Sequence, residues 1–208
     1  MNVWAIVPVK ALNRAKSRLS GILTPPEREQ LALRMLRYNL ETVSESGLLS
    51  GVLVISRDVD VLRVAQGIKG VTTLQETGIP NLNDALTQAR RLLVNWGADV
   101  DVDAILVLPA DIPFIAEADL RAMLDMGLGQ KTGTVVIAPD RHGQGTNAML
   151  LHPPEVIDFS FGIGSYQRHQ MAAKQNGAQV FSYQSEGLAL DIDTPEDMLI
   201  WQDKLGIR

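Results

Sequence analysis

Ala104-Ile-Leu-Val-Leu-Pro-Ala-Asp-Ile-Pro-Phe114 is an apolar run that ends in an acid flanked by prolines, and its reading decides the fold. Ala104 to Leu108 is continuously apolar where a half-exposed strand would alternate, so it predicts a buried parallel strand. Asp111 then stands at that strand's carboxyl end. In open α/β sheets ligands bind along this edge, and Pro109 and Pro113 stiffen the turn that presents the carboxylate. An acid held in this way is well placed to grip a metal ion carried in by a phosphate.

On either side of this stretch, strand-like and helix-like segments alternate almost without interruption, the pattern of a layered α/β domain around a mostly parallel sheet. Val3 to Val9 reads as the first strand, Val52 to Ser56 as the second and Val71 to Leu74 as the third. Thr24-Pro-Pro-Glu27 carries a helix start: threonine caps, proline suits the first turn and glutamate completes a capping box. Leu33, Leu36, Leu40 and Val43 follow at helical spacing, with Gly47 as the stop. Val59 to Gln66 predicts a short helix with Val61, Val64 and Ala65 inward. The next helix begins near Asn83, with Leu82, Ala85, Leu86, Ala89, Leu93 and Trp96 as its apolar face and Gly97 at its end.

Asp99, Asp101 and Asp103 read as a solvated loop. Glu117 to Met126 and Ser165 to Gln175 are helical, and Thr134 to Ala138 is another buried strand. Ala148 to Leu151, Val180 to Tyr183 and Ala189 to Ile192 are expected to be extended. Thr194-Pro-Glu-Asp197 opens the last helix by the same capping logic as Thr24.

With 208 residues and 46% hydrophobic content, the chain can bury one substantial core, so a single domain over 1–208 is expected. A net charge of -5 argues against a general affinity for nucleic acid. The absence of cysteine excludes disulfides, a thiolate nucleophile and thiolate metal sites. Met1 to Val9 lacks the basic lead-in of a secretory signal, and no stretch approaches the ~20 apolar residues of a membrane span, so a cytoplasmic protein without membrane contact is expected.

In this acidic chain the loop after the first strand, Pro8-Val-Lys-Ala-Leu-Asn-Arg-Ala-Lys-Ser-Arg-Leu19, concentrates Lys10, Arg14, Lys16 and Arg18. A local cationic loop at a strand's carboxyl end suits a polyphosphate, because arginine offers forked donors and lysine a point charge. Neither the Walker spacing nor G-x-G-x-x-G is present, which disfavours P-loop enzymes and ordinary dinucleotide oxidoreductases. Leu188-Ala-Leu-Asp-Ile-Asp-Thr-Pro-Glu-Asp197 brings two more acids to the end of a short apolar segment, and alternation points Asp191 and Asp193 to the same side. Either can share a cation with Asp111, since Mg²⁺ usually takes one or two protein carboxylates. Asp193 can equally help turn the chain into the last helix, while Glu196 and Asp197 suit that helix's N-terminus.

Gly143-Gln-Gly-Thr-Asn147 and Phe161-Gly-Ile-Gly-Ser-Tyr-Gln-Arg-His169 are small-residue, polar segments. Glycine lets the backbone approach an anion, and Thr146 and Ser165 add hydroxyl donors, so together they can hold a small phosphorylated acid. His142, His152 and His169 lack metal-ligand spacing and read as surface or capping residues. Asn83 either lies beside a bound nucleotide or caps its helix.

Taken together, Pro8-Val-Lys10 through Lys16-Ser-Arg-Leu19, Leu82-Asn-Asp-Ala-Leu86, Pro109-Ala-Asp-Ile-Pro113, Gly145-Thr-Asn-Ala148, Phe161-Gly-Ile-Gly-Ser165 and Asp191-Ile-Asp-Thr-Pro-Glu-Asp197 resemble the phospholactate or phosphoenolpyruvate guanylyltransferases of the CofC/FbiD family. The resemblance spans nearly the whole chain. It implies an α/β, three-layer nucleotide-diphospho-sugar transferase-like (GT-A) fold with a mostly parallel central sheet. It also implies transfer of GMP from GTP to a small phosphorylated three-carbon acid, with release of pyrophosphate, in biosynthesis of the deazaflavin coenzyme F-420. The family's acceptors include 2-phospho-L-lactate, phosphoenolpyruvate and 3-phosphoglycerate.

Carried onto this sequence, the resemblance makes Asp111 and Asp191 or Asp193 the Mg²⁺ carboxylates, and Thr146, Gly162 and Ser165 the contacts of the acid. Lys10, Lys16 and Arg18 would then neutralise charge on the reacting phosphates. The Asp-Ile-Asp-Thr-Pro-Glu-Asp segment also occurs in other nucleotidyltransferases of this fold, so a molybdopterin cytidylyltransferase, a glycosyltransferase and a nucleotide-binding regulator without turnover stand as alternatives. A homo-oligomer is compatible with the sequence.

Overall fold

A computed structural model of the chain describes residues 1–96, 101–130 and 133–204. Its strands are β1 (Val3–Val9), β2 (Gly51–Ser56), β3 (Val71–Gln75), β4 (Ala104–Val107), β5 (Thr134–Pro139), β6 (Thr146–His152) and β7 (Gln179–Ser182). They form one sheet in the order β3-β2-β1-β4-β6-β5-β7. The helices are α1 (Pro25–Glu45), α2 (Val59–Gln66), α3 (Leu82–Val94), α4 (Glu117–Leu128), α5 (Ser165–Gln175), the short α6 (Glu186–Ala189) and α7 (Pro195–Lys204).

Alternation along the central strands feeds two cores. Ala5, Val7 and Leu106 point to one face, where α1 (Leu36, Leu40, Val43), α2 (Val61, Ala65) and α4 (Leu120, Met123) cover them. Ile6, Ile105 and Val107 point to the other, under α3 (Leu86, Ala89, Leu93) and α5 (Ala173). This gives three layers, as expected for strands buried on both faces.

β4 is parallel to β1, as its apolar run predicts, with Ile6 opposite Val107. On its other side it meets β6 antiparallel, Val107 opposite Met149. That reversal matters for the site, because it sets the beginning of β6 beside the carboxyl end of β4. Thr146 and Asp111 therefore share one edge of the sheet, together with the loop that leaves β1.

A third, smaller core joins distant parts of the chain. Leu19 from the basic loop packs with Leu31 and Met35 of α1, with Leu190 and Ile192, and with Met198 of α7. Leu19 and Ile192 are fully buried, and each such side chain contributes about 1.5–3 kcal/mol by leaving water. This cluster is what brings the N-terminal loop against the late acids.

The helix starts follow their sequence logic except at α3, and one expected strand differs. Thr24 and Glu27 form the capping box, Glu27 accepting from the Thr24 backbone N–H at 2.8 Å. At α3 the cap is Asn81, which accepts from the N–H groups of Asn83 and Asp84. The helix thus begins at Leu82, and Leu82 itself is exposed. Ala189 to Ile192, expected as a strand, has no ladder partner among the described residues. Ala189 closes α6 (Glu186–Ala189), and Leu190 to Ile192 is extended chain held by side-chain and loop bonds. The expected stop at Gly97 and the acid Asp99 lie outside the described residues. Among the described residues, no helix is long and apolar enough to cross a membrane.

Candidate active site

Three segments converge at the carboxyl edge of the sheet, and the first is the basic loop. Leu12 N–H donates to Asp58 Oδ2 at 2.9 Å, and Arg28 reaches the Ala15 carbonyl, which pins the loop to α2 and α1. Lys16 adopts a left-handed conformation with φ 51°, alone among the described non-glycine residues. Such a backbone is uncommon for a side-chain-bearing residue and turns Lys16 inward. Its ammonium donates to Asp111 Oδ2 at 2.7 Å and to Asp193 Oδ1 at 3.3 Å. Burial works to lower the Lys16 pKa, but Asp111 and then Asp193 overcome it and hold it above the ordinary lysine value, so the side chain stays charged. Arg18 lies on the rim with Nη1 3.8 Å from Asp193 Oδ2. Lys10 and Arg14 are exposed, and no ion pair links them to the acids among the described residues.

The second segment is the extended chain around Asp191. Its apolar residues Leu188, Leu190 and Ile192 are buried while Asp191 and Asp193 turn to the site. The alternation read from the sequence is therefore real, but the backbone is satisfied without a strand partner. Asn147 Nδ2 donates to the Leu188 carbonyl at 2.8 Å and to the Ala189 carbonyl at 3.2 Å, and Ile192 N–H donates to the Asp111 carbonyl at 3.2 Å. Asp197 does the turning into α7: its Oδ2 accepts from the backbone of Asp193 and Thr194 and from the Thr194 hydroxyl, and Arg141 pairs with it at 2.9 Å. The side chain of Asp193 is thereby left to Lys16. Asp191 contacts Asn147 Nδ2 at 3.5 Å. Burial, followed by the nearby charges of Asp111 and Asp193, raises the pKa of Asp191 above its ordinary value.

The third segment is the cradle made by the start of β6 and the start of α5. Ser165 Oγ donates to Thr146 Oγ1 at 3.3 Å, and both residues are buried. Gly162 (φ 120°) and Gly164 (φ 72°) occupy conformations open to glycine, forming the loop before α5. Asn83 clamps that loop: it accepts from Phe161 N–H at 2.7 Å and donates to the Phe161 carbonyl at 3.3 Å. Its amide is thus spent on positioning the cradle. Arg168 fastens the same loop through Ser160, with Nε 2.7 Å from its hydroxyl.

His169 corrects a sequence expectation. It is fully buried beneath the cradle, whereas a lone histidine without metal spacing suggested a surface or capping role. A readable signal existed, because Ser165 and His169 are four residues apart and so share one helical face. A groove of about 540 Å³ lies between Pro139–Gly143 and the stretch of Gln184, Ser185, Glu186 and Ala189, and neither Lys16 nor Asp111 lines it. Among the described residues no group of three His, Cys, Asp or Glu side chains is arranged to hold a metal alone.

The arrangement offers carboxylates with a fixed cation on one side and neutral hydroxyl donors on the other, suited to two phosphate-bearing molecules meeting between them. Comparison with known proteins agrees in fold and family. A solved nucleotidyl transferase from Methanothermobacter thermautotrophicus superposes with a TM-score of 0.70 over 98% of this chain and 97% of its own, at 17% identity. The phosphoenolpyruvate guanylyltransferase of Rubrobacter xylanophilus is 43% identical over 209 aligned positions, covering 100% of this chain and 97% of the relative. The 2-phospho-L-lactate guanylyltransferase of Methanothermobacter thermautotrophicus is 38% identical, covering 95% of this chain and 83% of the relative. Residues 3–201 match the family described as guanylyl transferase CofC like, and the chain belongs to that family of nucleotidyltransferase enzymes.

Proposed function

We propose that this guanylyltransferase joins GMP from GTP to a small phosphorylated three-carbon acid, phosphoenolpyruvate or 2-phospho-L-lactate, with release of pyrophosphate, as a step toward coenzyme F-420. The observation that carries this reading is the meeting, at one sheet edge, of the Lys16–Asp111–Asp193 cluster with the Thr146–Ser165 cradle. Relatives named for both acids support the substrate class.

The chemistry needs little from the protein in the way of proton transfer. The acceptor's phosphate oxygen is ionised near neutral pH and attacks the α-phosphorus of GTP. A new P–O bond forms, the bond to the β-phosphate oxygen breaks, and pyrophosphate leaves with that electron pair. No base or covalent enzyme intermediate is called for. What the chain must do is hold two anions together.

Lys16 supplies a charge whose position is set by two acids, and Lys10 and Arg18 add mobile positive charge at the rim for the departing pyrophosphate. Thr146, Ser165 and the backbone at Gly162 hold the acid, while Asn83 keeps Phe161 and hence Gly162 in position. The donor chemistry fits Mg²⁺ brought in with the nucleotide: Asp111, with Asp191 or Asp193, would hold it, because Mg²⁺ takes one or two protein carboxylates and draws its other oxygens from phosphate and water. When bound, it supplies further positive charge to the phosphates.

Mass spectrometry of the products formed from GTP, Mg²⁺ and each candidate acid tests this reading. The expected product is a guanosine diphosphate ester of the acid, formed in step with pyrophosphate. Product from CTP in place of GTP, or none with any acid, would overturn the assignment.

A further inference from the structure

We propose that His169 is a positioning residue that turns the Thr146–Ser165 hydroxyl pair into a hydrogen-bond donor for the anionic head of the acceptor acid. This rests on the reading that the cradle binds that acid. His169 Nε2 accepts from the Ser160 backbone N–H at 3.0 Å, and Nδ1 lies 3.1 Å from Thr146 Oγ1. A backbone N–H can only donate, so Nε2 carries no proton. The ring proton is then on Nδ1, and Thr146 Oγ1 accepts it.

Counting protons shows what this does. The imidazole, Thr146 and Ser165 together carry three polar protons, and two are consumed in the bonds His169–Thr146 and Thr146–Ser165. One hydroxyl proton is left over, that of Thr146 when Ser165 donates to it, and it is available to a ligand. With the opposite tautomer the Thr146 proton would be spent on the imidazole and the Ser165 proton on Thr146, leaving none. Charge would also be wrong for the pocket: a protonated ring would set Nε2–H against the Ser160 N–H.

Burial keeps the ring neutral. His169 has its pKa lowered to about 4 by desolvation, with Arg168 adding to the effect, and the Phe161 ring closes one side at 4.9 Å between centroids. Ser160 in turn is fixed by Arg168, whose guanidinium donates to the Ser160 hydroxyl and to its carbonyl. The tautomer is therefore set by backbone, and the hydroxyl pair inherits its polarity.

Three variants separate the parts. His169→Asn keeps an N–H where Nδ1 stands, His169→Gln keeps a polar atom only where Nε2 stands, and His169→Phe keeps neither. Steady-state pyrophosphate release with GTP and phosphoenolpyruvate should show the KM for the acid raised about tenfold to a hundredfold in the Phe and Gln variants, as for loss of a hydrogen bond to a charged group. The KM for GTP should stay unchanged, and His169→Asn should recover most of the affinity for the acid. An unchanged acid KM in His169→Phe, or equal losses in the Asn and Gln variants, would overturn the role of His169. A wild-type enzyme inactive with every acid would instead overturn the acceptor assignment. Long-range ¹H–¹⁵N spectra of the histidine rings in the wild-type protein test the tautomer whether or not the variants fold: Nδ1–H is expected, and Nε2–H would overturn the inference.

Discussion

On one side of the sheet edge Lys16 stands between Asp111 and Asp193 with its charge matched by two acids; on the other, Thr146, Ser165 and a neutral His169 carry no net charge at all. The charged side is half-open, with Asp111 and Asp193 side chains 32% and 40% exposed, while Thr146, Ser165 and His169 are buried. The difference reflects what each side must survive when empty. Unpaired charge is costly away from water, so the charged groups sit where solvent and one another relieve them. Hydroxyl and imidazole dipoles can be buried because they satisfy one another, and they keep their orientation for a ligand. Strength comes from the first side and geometric selection from the second.

The largest expected effect breaks the charged side. Asp111→Asn keeps shape and removes a charge that both anchors Lys16 and is available to a cation. A fall in turnover on the order of a thousandfold is expected, comparable to losing a main electrostatic contact to the reacting centre, with the circular dichroism spectrum retained. Pyrophosphate release in the presence of Mg²⁺ measures it, and wild-type turnover would remove Asp111 from the chemistry.

The neutral side makes its own prediction about acid. The unfolded chain takes up a proton on histidine near pH 6.5, whereas folded His169 resists until about 4. Between these values the unfolded state binds more protons, so stability falls as pH falls through the window and is unaffected above it. The accumulated loss is about 3 kcal/mol at the acid end. Carboxylates titrate there too, so the comparison is between wild type and His169→Asn in urea melts from pH 7 to 4. The stability gap should narrow or invert on acidification, and a constant gap would mean that the folded ring takes up its proton at the same pH as the unfolded one.

Thr146→Val sharpens the contrast by deleting one hydroxyl at nearly constant volume. The acid should bind about tenfold to a hundredfold more weakly, with the KM for GTP unmoved. A parallel rise in both constants would show that the two sides of the site do not divide the substrates between them.

How much of this was readable from residues alone follows the same division. The charged side was legible: an apolar run ending in Asp111 puts an acid at a strand end, and a basic loop after the first strand puts cations nearby. The convergence of Asp193 on Lys16 was not, because it depends on the Leu19–Ile192–Met198 cluster joining opposite ends of the chain. Leu188, Leu190 and Ile192 alternate as a strand would, yet alternation reports only which side chains are buried. Whether a ladder forms depends on what satisfies the backbone, and here Asn147, Arg141 and Asp111 do so. The neutral side was half legible. Thr146 and Ser165 stood out beside glycines, but the imidazole beneath them gains meaning only once β6 runs antiparallel to β4 and brings Thr146 over α5. At α3 the sequence offered Asn83 as the cap, whereas the structure uses Asn81, two residues earlier. With Asn81 as the cap, Asn83 is released to hold Phe161.

The smallest effect is expected at the rim, where Arg18 is 72% exposed and 3.8 Å from Asp193. A pair so open to solvent contributes about 0–1 kcal/mol, so Arg18→Ala should leave stability nearly unchanged. Its effect should appear in kinetics, as a loss of at most about fivefold in kcat/KM for GTP that fades as salt screens the triphosphate. Lys16, buried against two carboxylates, has no such access to salt, so the residual activity of Lys16→Met should keep the same fold-deficit at low and high ionic strength. If both variants lost the same fraction of activity, with the same response to salt, the rim and the interior of the cationic loop would be acting as one field and the distinction between fixed and mobile charge would fail.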